Sequence, residues 1–149
     1  MTLQSKQYNM DNPTIIRQIA QQRIEEAECL FANGHFDGAY YLAGYALELT
    51  LKAKICDCLR VPNFYKQHIT GELSKAFKTH KIDNLLLFTG LHETLNTEKQ
   101  TNPVLLTTWS VVTCWNENSR YNNINTCDNS KSEDFISAIK YIITWINTH

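Results

Sequence analysis

The stretch His35–Leu59, HFDGAYYLAGYALELTLKAKICDCL, constrains this chain more than any other, because it reads as one long helix. It contains no proline, and Gly44 in its interior costs a helix only about 1 kcal/mol relative to alanine. Phe36, Tyr40, Ala43, Leu47, Leu51 and Ile55 fall on one helical face, and Leu42, Ala46, Leu49 and Ala53 on a second. A helix apolar on two sides has to be wrapped on two sides. The small residues Ala39, Ala43, Gly44 and Ala46 leave room for neighbouring backbones, at interaxial distances of roughly 8 Å. A third stripe is polar: Asp37, Tyr41, Tyr45, Glu48 and Lys52 follow one another a turn apart, with Glu48 and Lys52 ordered for an i,i+4 ion pair. Exposed, such a pair contributes about 0.3–0.5 kcal/mol. The stripe reads either as a solvated face with two tyrosines lying along it, or as a face for a ligand or partner, formed by Tyr41, Tyr45, Glu48 and Lys52.

The remaining pattern supplies the wrapping helices. Asn12-Pro13 gives a cap residue and a first-turn proline, and Ile16, Ala20, Ile24, Ala27 and Phe31 recur at helical spacing up to Asn33-Gly34, predicting a helix over 13–32. The short turn makes it the antiparallel neighbour of the long helix. Pro62 ends the long helix, and the segment up to Lys78 is expected to be irregular apart from one turn near Glu72–Phe77. A short helix is expected from a Thr79 cap to Gly90, followed by the polar stretch HETLNTEKQT. Asn102-Pro103 repeats the cap-and-proline start, predicting a helix of about 16 residues through Trp115, and Ser130–Glu133 offers a capping box for a last helix buried through Phe135, Ile139, Ile142 and Ile146. No segment alternates with period two, so no sheet is expected. The predicted fold is all-α: a flexible tail over residues 1–12, then a single domain over 13–147, an up-and-down bundle of four long helices with one or two short ones.

At 149 residues, one core suffices. The 14 basic and 15 acidic side chains nearly balance, so nucleic-acid binding would have to be local. No apolar run is long enough for a membrane helix and the N-terminus lacks the apolar core of a signal peptide, which predicts a cytoplasmic protein without membrane association. The five cysteines are Cys29, Cys56, Cys58, Cys114 and Cys127. Cys56 and Cys58 lie about 200° apart on one helix, so neither a disulfide framework nor a metal site is expected, and no cofactor is implied.

The lettering G-x-F-D-G-A-Y-Y-L-A-G-Y-A-L-E-L-x-L-K-A of the long helix resembles the second helix of the HEPN family. So do Thr79-His80 leading into Leu85-Leu86, Gly90-Leu91 closing that helix, and Trp115 through Arg120-Tyr121 before a loop and a final helix. The likeness runs over about residues 13–147, and it rests on the order and spacing of these pieces. It implies a helical bundle, commonly a homodimer, often encoded beside a nucleotidyltransferase or another defence partner. Many members are metal-independent ribonucleases whose site is an arginine followed four to six residues later by a histidine. Histidine moves the proton of the ribose 2′-hydroxyl or of the leaving oxygen, while arginine grips the phosphate with two donors.

Arg120 matches the arginine, but Tyr121, Asn122, Asn123, Ile124, Asn125 and Thr126 follow it, and the next histidine is His149. Neither asparagine nor threonine accepts a proton near neutral pH, so the general base is missing and no catalytic residue is assigned. Arg120 is expected either to bond the open carbonyls of the preceding helix or Asp128, or to contact RNA or a phosphate together with Tyr121 and Asn122. Trp109, Trp115 and Tyr121 are expected in the core, and His80 is expected to make a hydrogen bond that supports the fold. The resulting reading is a non-catalytic binding or partner module in a bacterial defence or toxin-antitoxin-like setting, able to take RNA or a nucleotide. The alternatives are a ribonuclease that joins Arg120 to a base from elsewhere, such as His68, and a nucleotide or small-ligand carrier using the tyrosine stripe.

Overall fold

Asn12 opens the first helix as the pattern requires: its side chain accepts from the Thr14 amide at 2.8 Å, and Pro13 follows in the first turn, where its missing N–H costs nothing. Helix α1 runs over Pro13–Ala32 and buries Ile16, Ala20, Ile24 and Ala27. It stops at Asn33, and Gly34 takes the left-handed backbone (φ 78°) that lets the His35 amide return to the Leu30 carbonyl at 2.9 Å. Helix α2, Phe36–Leu59, then packs along α1. The computed structural model describes residues 12–61, 75, 76 and 78–149. The expected N-terminal tail, the irregular segment after Pro62 and His68 lie largely or wholly outside them.

Among the described residues all regular structure is helical. After α2 come α3 (Ile82–Phe88), α4 (His92–Glu98), α5 (Pro103–Val112), a 3₁₀ turn (Glu117–Tyr121) and α6 (Asn129–Thr148). Helix α2 is the axis, packed by α1, α6, α3 and the 3₁₀ turn, while α5 lies against α6. Both of its predicted apolar faces are buried. The central packing includes Leu47, Leu51 and Ile55 of α2 with Ile139, Ile142 and Ile146 of α6, and the rings of Tyr40 and Phe135 meet at 4.0 Å between centroids. Cys56 is buried and its thiol is pushed up to about 11 by that burial, whereas Cys58 is exposed and donates to the Thr89 carbonyl at 3.1 Å.

Four boundary expectations are corrected. Helix α3 is capped at Lys81, not Thr79, whose hydroxyl instead accepts from the Lys81 amide at 3.2 Å. The polar stretch after Leu91 is helical as α4, because Leu95 turns inward into full burial and anchors it. Helix α5 ends at Val112, short of the length expected, because Trp115 has to leave the helical path to enter the core and Asn116 then caps the 3₁₀ turn by accepting from the Asn118 amide at 3.0 Å. The last helix starts at Asp128, whose carboxylate accepts from the Lys131 amide at 2.8 Å. That displaces the expected capping box, and Ser132 is buried with its hydroxyl on the Phe36 carbonyl at 3.3 Å.

At the far end of α6, His149 donates from Nε2 to Glu98 (2.8 Å) and from Nδ1 to the Trp145 carbonyl (2.9 Å), and Glu98 also accepts from the Trp145 indole at 2.7 Å. Two donating ring nitrogens require the imidazolium form. The Trp145 carbonyl first, and then Glu98, hold the imidazole above its ordinary value; the Trp145 indole first, and then His149, hold the Glu98 carboxyl below its own. A raised histidine contributes stability that is complete below its ordinary pKa of about 6.5 and is lost as pH rises through the folded value. A depressed glutamate contributes stability that is complete above about 4.3 and is lost as pH falls. The clasp is therefore strongest at about pH 5–6. Urea midpoints of wild type and His149→Gln are expected to differ most there and to converge as pH rises through the raised histidine value; a gap that widens with alkali would contradict the clasp.

Candidate functional site

Two side-chain groups stand on the polar stripe of α2, one at each end. The first is built by the 3₁₀ turn. Trp115, only 3% exposed, lies on Gly44, where a Cβ would sit 2.3 Å from its ring atoms. The small residues of α2 were expected to admit a backbone; at Gly44 they admit an indole. Its Nε1 has no hydrogen-bond partner among the described residues, and its ring stands 6.1 Å from that of Tyr41. This insertion presses the turn that carries Arg120 against α2. The guanidinium also lies over the Tyr121 ring, 4.9 Å from its centroid. The neighbouring tyrosines, Tyr41 foremost and then Tyr121, push the already high pKa of Arg120 further up, and its guanidinium carries a permanent charge. Neither the carbonyls at the end of α5 nor Asp128 is its partner: Asp128 caps α6. The loop beyond is tied down by Asp37, whose carboxylate accepts from the Asn125 amide (2.6 Å) and the Cys127 amide (2.7 Å).

Tyr121 is 73% exposed, which corrects its expected place in the core, while Trp109 and Trp115 are buried as expected. Asn122 closes the turn and is exposed, as is Ile124. Arg120, Tyr121 and Asn122 thus form one exposed edge.

The second group lies two turns further along α2. Glu48 is 1% exposed and Lys52 is 2% exposed, with Nζ 2.6 Å from Oε1. The expected solvated stripe is thus corrected for these two: Tyr41 and Tyr45 are half-buried, with rings 6.4 Å apart and nearly parallel, but Glu48 and Lys52 are an interior pair. Just ahead of α3, His80 places Nδ1 2.8 Å from the same Glu48 oxygen. This is the fold-supporting bond expected of His80, and its partner could not be read from the sequence. A face apolar on both flanks was the available hint that the stripe between them is covered as well.

The sequence profile of the HEPN domain family matches residues 15–149. The chain belongs to the HEPN family. Neither a curated protein nor a solved structure is detectably similar to it. In this HEPN domain two of the described imidazoles are engaged elsewhere: His80 bonds Glu48, and His149 bonds Glu98 and the Trp145 carbonyl. Among the described residues, no helix is long and apolar enough to cross a membrane.

Proposed function

We propose that this HEPN domain is a non-catalytic module that binds the phosphate backbone of single-stranded RNA at Arg120, flanked by Tyr121 and Asn122. Membership of the family points to a function related to nucleotides or RNA. The observation that carries the reading is the setting of Arg120, a permanent cation on an exposed edge beside the Tyr121 ring, on a turn that Trp115 anchors to α2. Tyr121 and Tyr41 offer ring surface to a base. By the family likeness, the module acts as a homodimer beside a partner protein of a defence or toxin-antitoxin-like system in the bacterial cytoplasm.

Fluorescence anisotropy with a labelled single-stranded RNA tests the reading. Arg120→Ala is expected to weaken binding by about tenfold or more, the worth of a charge-assisted hydrogen bond. The same RNA is expected to remain intact in metal-free buffer. Wild-type affinity kept by the variant would remove the site, and cleavage abolished by Arg120→Ala would make the domain a ribonuclease instead.

A further inference from the structure

We propose that Asn33-Gly34, the turn joining α1 to α2, is a deamidation site that the folded turn holds in check. Each opening of the turn offers the chain an irreversible change of Asn33 into aspartate or isoaspartate, independent of any RNA bound at Arg120.

The chemistry is intramolecular. The main-chain nitrogen of the residue after the asparagine gives its proton to a base and attacks the side-chain Cγ. The new N–Cγ bond closes a five-membered succinimide, the Cγ–Nδ2 bond breaks, and Nδ2 takes a proton from solvent and leaves as ammonia. Water then adds to one or the other carbonyl of the ring, so the products are aspartate and isoaspartate. Base and water are the only co-reactants. Asn33 is the one asparagine in the chain that precedes glycine, whose missing side chain leaves its nitrogen open to the attack.

Both residues are exposed, so base and water reach them, yet both reacting groups are engaged. Asn33 donates from Nδ2 to the Cys29 carbonyl at 2.8 Å, which ties its side-chain amide back onto α1. The Gly34 amide donates to the Phe31 carbonyl at 3.0 Å, which keeps the proton on the attacking nitrogen. The turn is braced across its mouth as well: the rings of Phe31 and Phe36 stand 5.6 Å apart, and Leu30 Cδ1 lies 3.2 Å from where a Cβ on Gly38 would sit. Ring closure needs both hydrogen bonds broken together, and that is an opening of the turn. Local openings come and go far faster than a succinimide forms, so the rate in the folded protein is the open-chain rate multiplied by the open fraction. The product damages the turn. A carboxylate cannot donate to the Cys29 carbonyl, and it sets a negative charge at the negative end of the α1 dipole.

The test incubates the whole chain at mildly alkaline pH, folded and in unfolding urea, and follows amide loss and isoaspartate at position 33 by peptide mass mapping. The folded chain is expected to react about tenfold or more slowly than the unfolded one. Phe36→Ala removes the Phe31–Phe36 contact but leaves Asn33-Gly34 intact. It should speed the reaction several-fold in the folded chain and leave the rate in urea unchanged. Asn33→Asp, which copies one product, should lower the urea midpoint. An unfolded chain that keeps its amide at position 33 overturns the site, and equal rates folded and unfolded overturn the protection. A folded rate untouched by Phe36→Ala, or a midpoint untouched by Asn33→Asp, overturns the link between this turn and the reaction. Should Phe36→Ala fail to fold, the folded and unfolded wild-type rates decide.

Discussion

Glu48→Ala is expected to lower the unfolding free energy by about 3–5 kcal/mol, because it removes the carboxylate 2.6 Å from the interior Lys52 ammonium. In a domain whose total stability is of order 5–15 kcal/mol, that is about a fifth of the whole or more. The melting temperature should fall by roughly 10 °C. The single loss measures the cost of taking this carboxylate from a buried cation and not the worth of the pair, since exchanging both partners for apolar residues of similar size is often neutral or stabilising. Glu48→Leu combined with Lys52→Met should therefore recover most of the lost stability. A Glu48→Ala protein that melts within about 2 °C of wild type would mean that the pair is open to water. The double variant also keeps the bundle while removing the anchor of His80.

Trp115→Ala is expected to cost about 3–5 kcal/mol, as removal of a buried indole does, and to release the 3₁₀ turn that carries Arg120. Gly44→Ala attacks the same contact from the other side. Alanine favours a helix over glycine by about 1 kcal/mol, but the new methyl would lie 2.3 Å from the indole, and overpacking of this kind costs about 1–3 kcal/mol. The clash should win, so Gly44→Ala destabilises the wild-type protein. In the Trp115→Ala background the obstacle is gone and only the helical preference remains. There Gly44→Ala should stabilise by about 1 kcal/mol. Urea unfolding of the four proteins checks this reversal of sign. The same sign in both backgrounds would mean that the indole does not rest on Gly44.

The helices were legible in the chain because their causes are local. Asn12-Pro13 and Asn102-Pro103 start two of them, Gly34 ends the first, and the spacing of apolar residues along α2 fixes both faces that are buried. Helix α4 was missed because its one inward residue, Leu95, gives too weak a period to see among polar neighbours. The C-terminus of α5 was missed because Trp115 fits the helical period as well as it fits a departure from it. Only the packing against Gly44 chooses between them.

What the sequence determined by itself was the family, the all-helical architecture, the candidate edge at Arg120 and the missing imidazole after it, since each depends on residue identity and spacing along one chain. The tertiary structure alone decided that Glu48 and Lys52 lie inside, that His80 meets Glu48 and that Trp115 rests on Gly44 and anchors the turn of Arg120. Those facts depend on which element covers which face. Periodicity distinguishes the polar side of a helix from the apolar, but a polar stripe carries no mark of whether water or another segment of the chain will satisfy its charges.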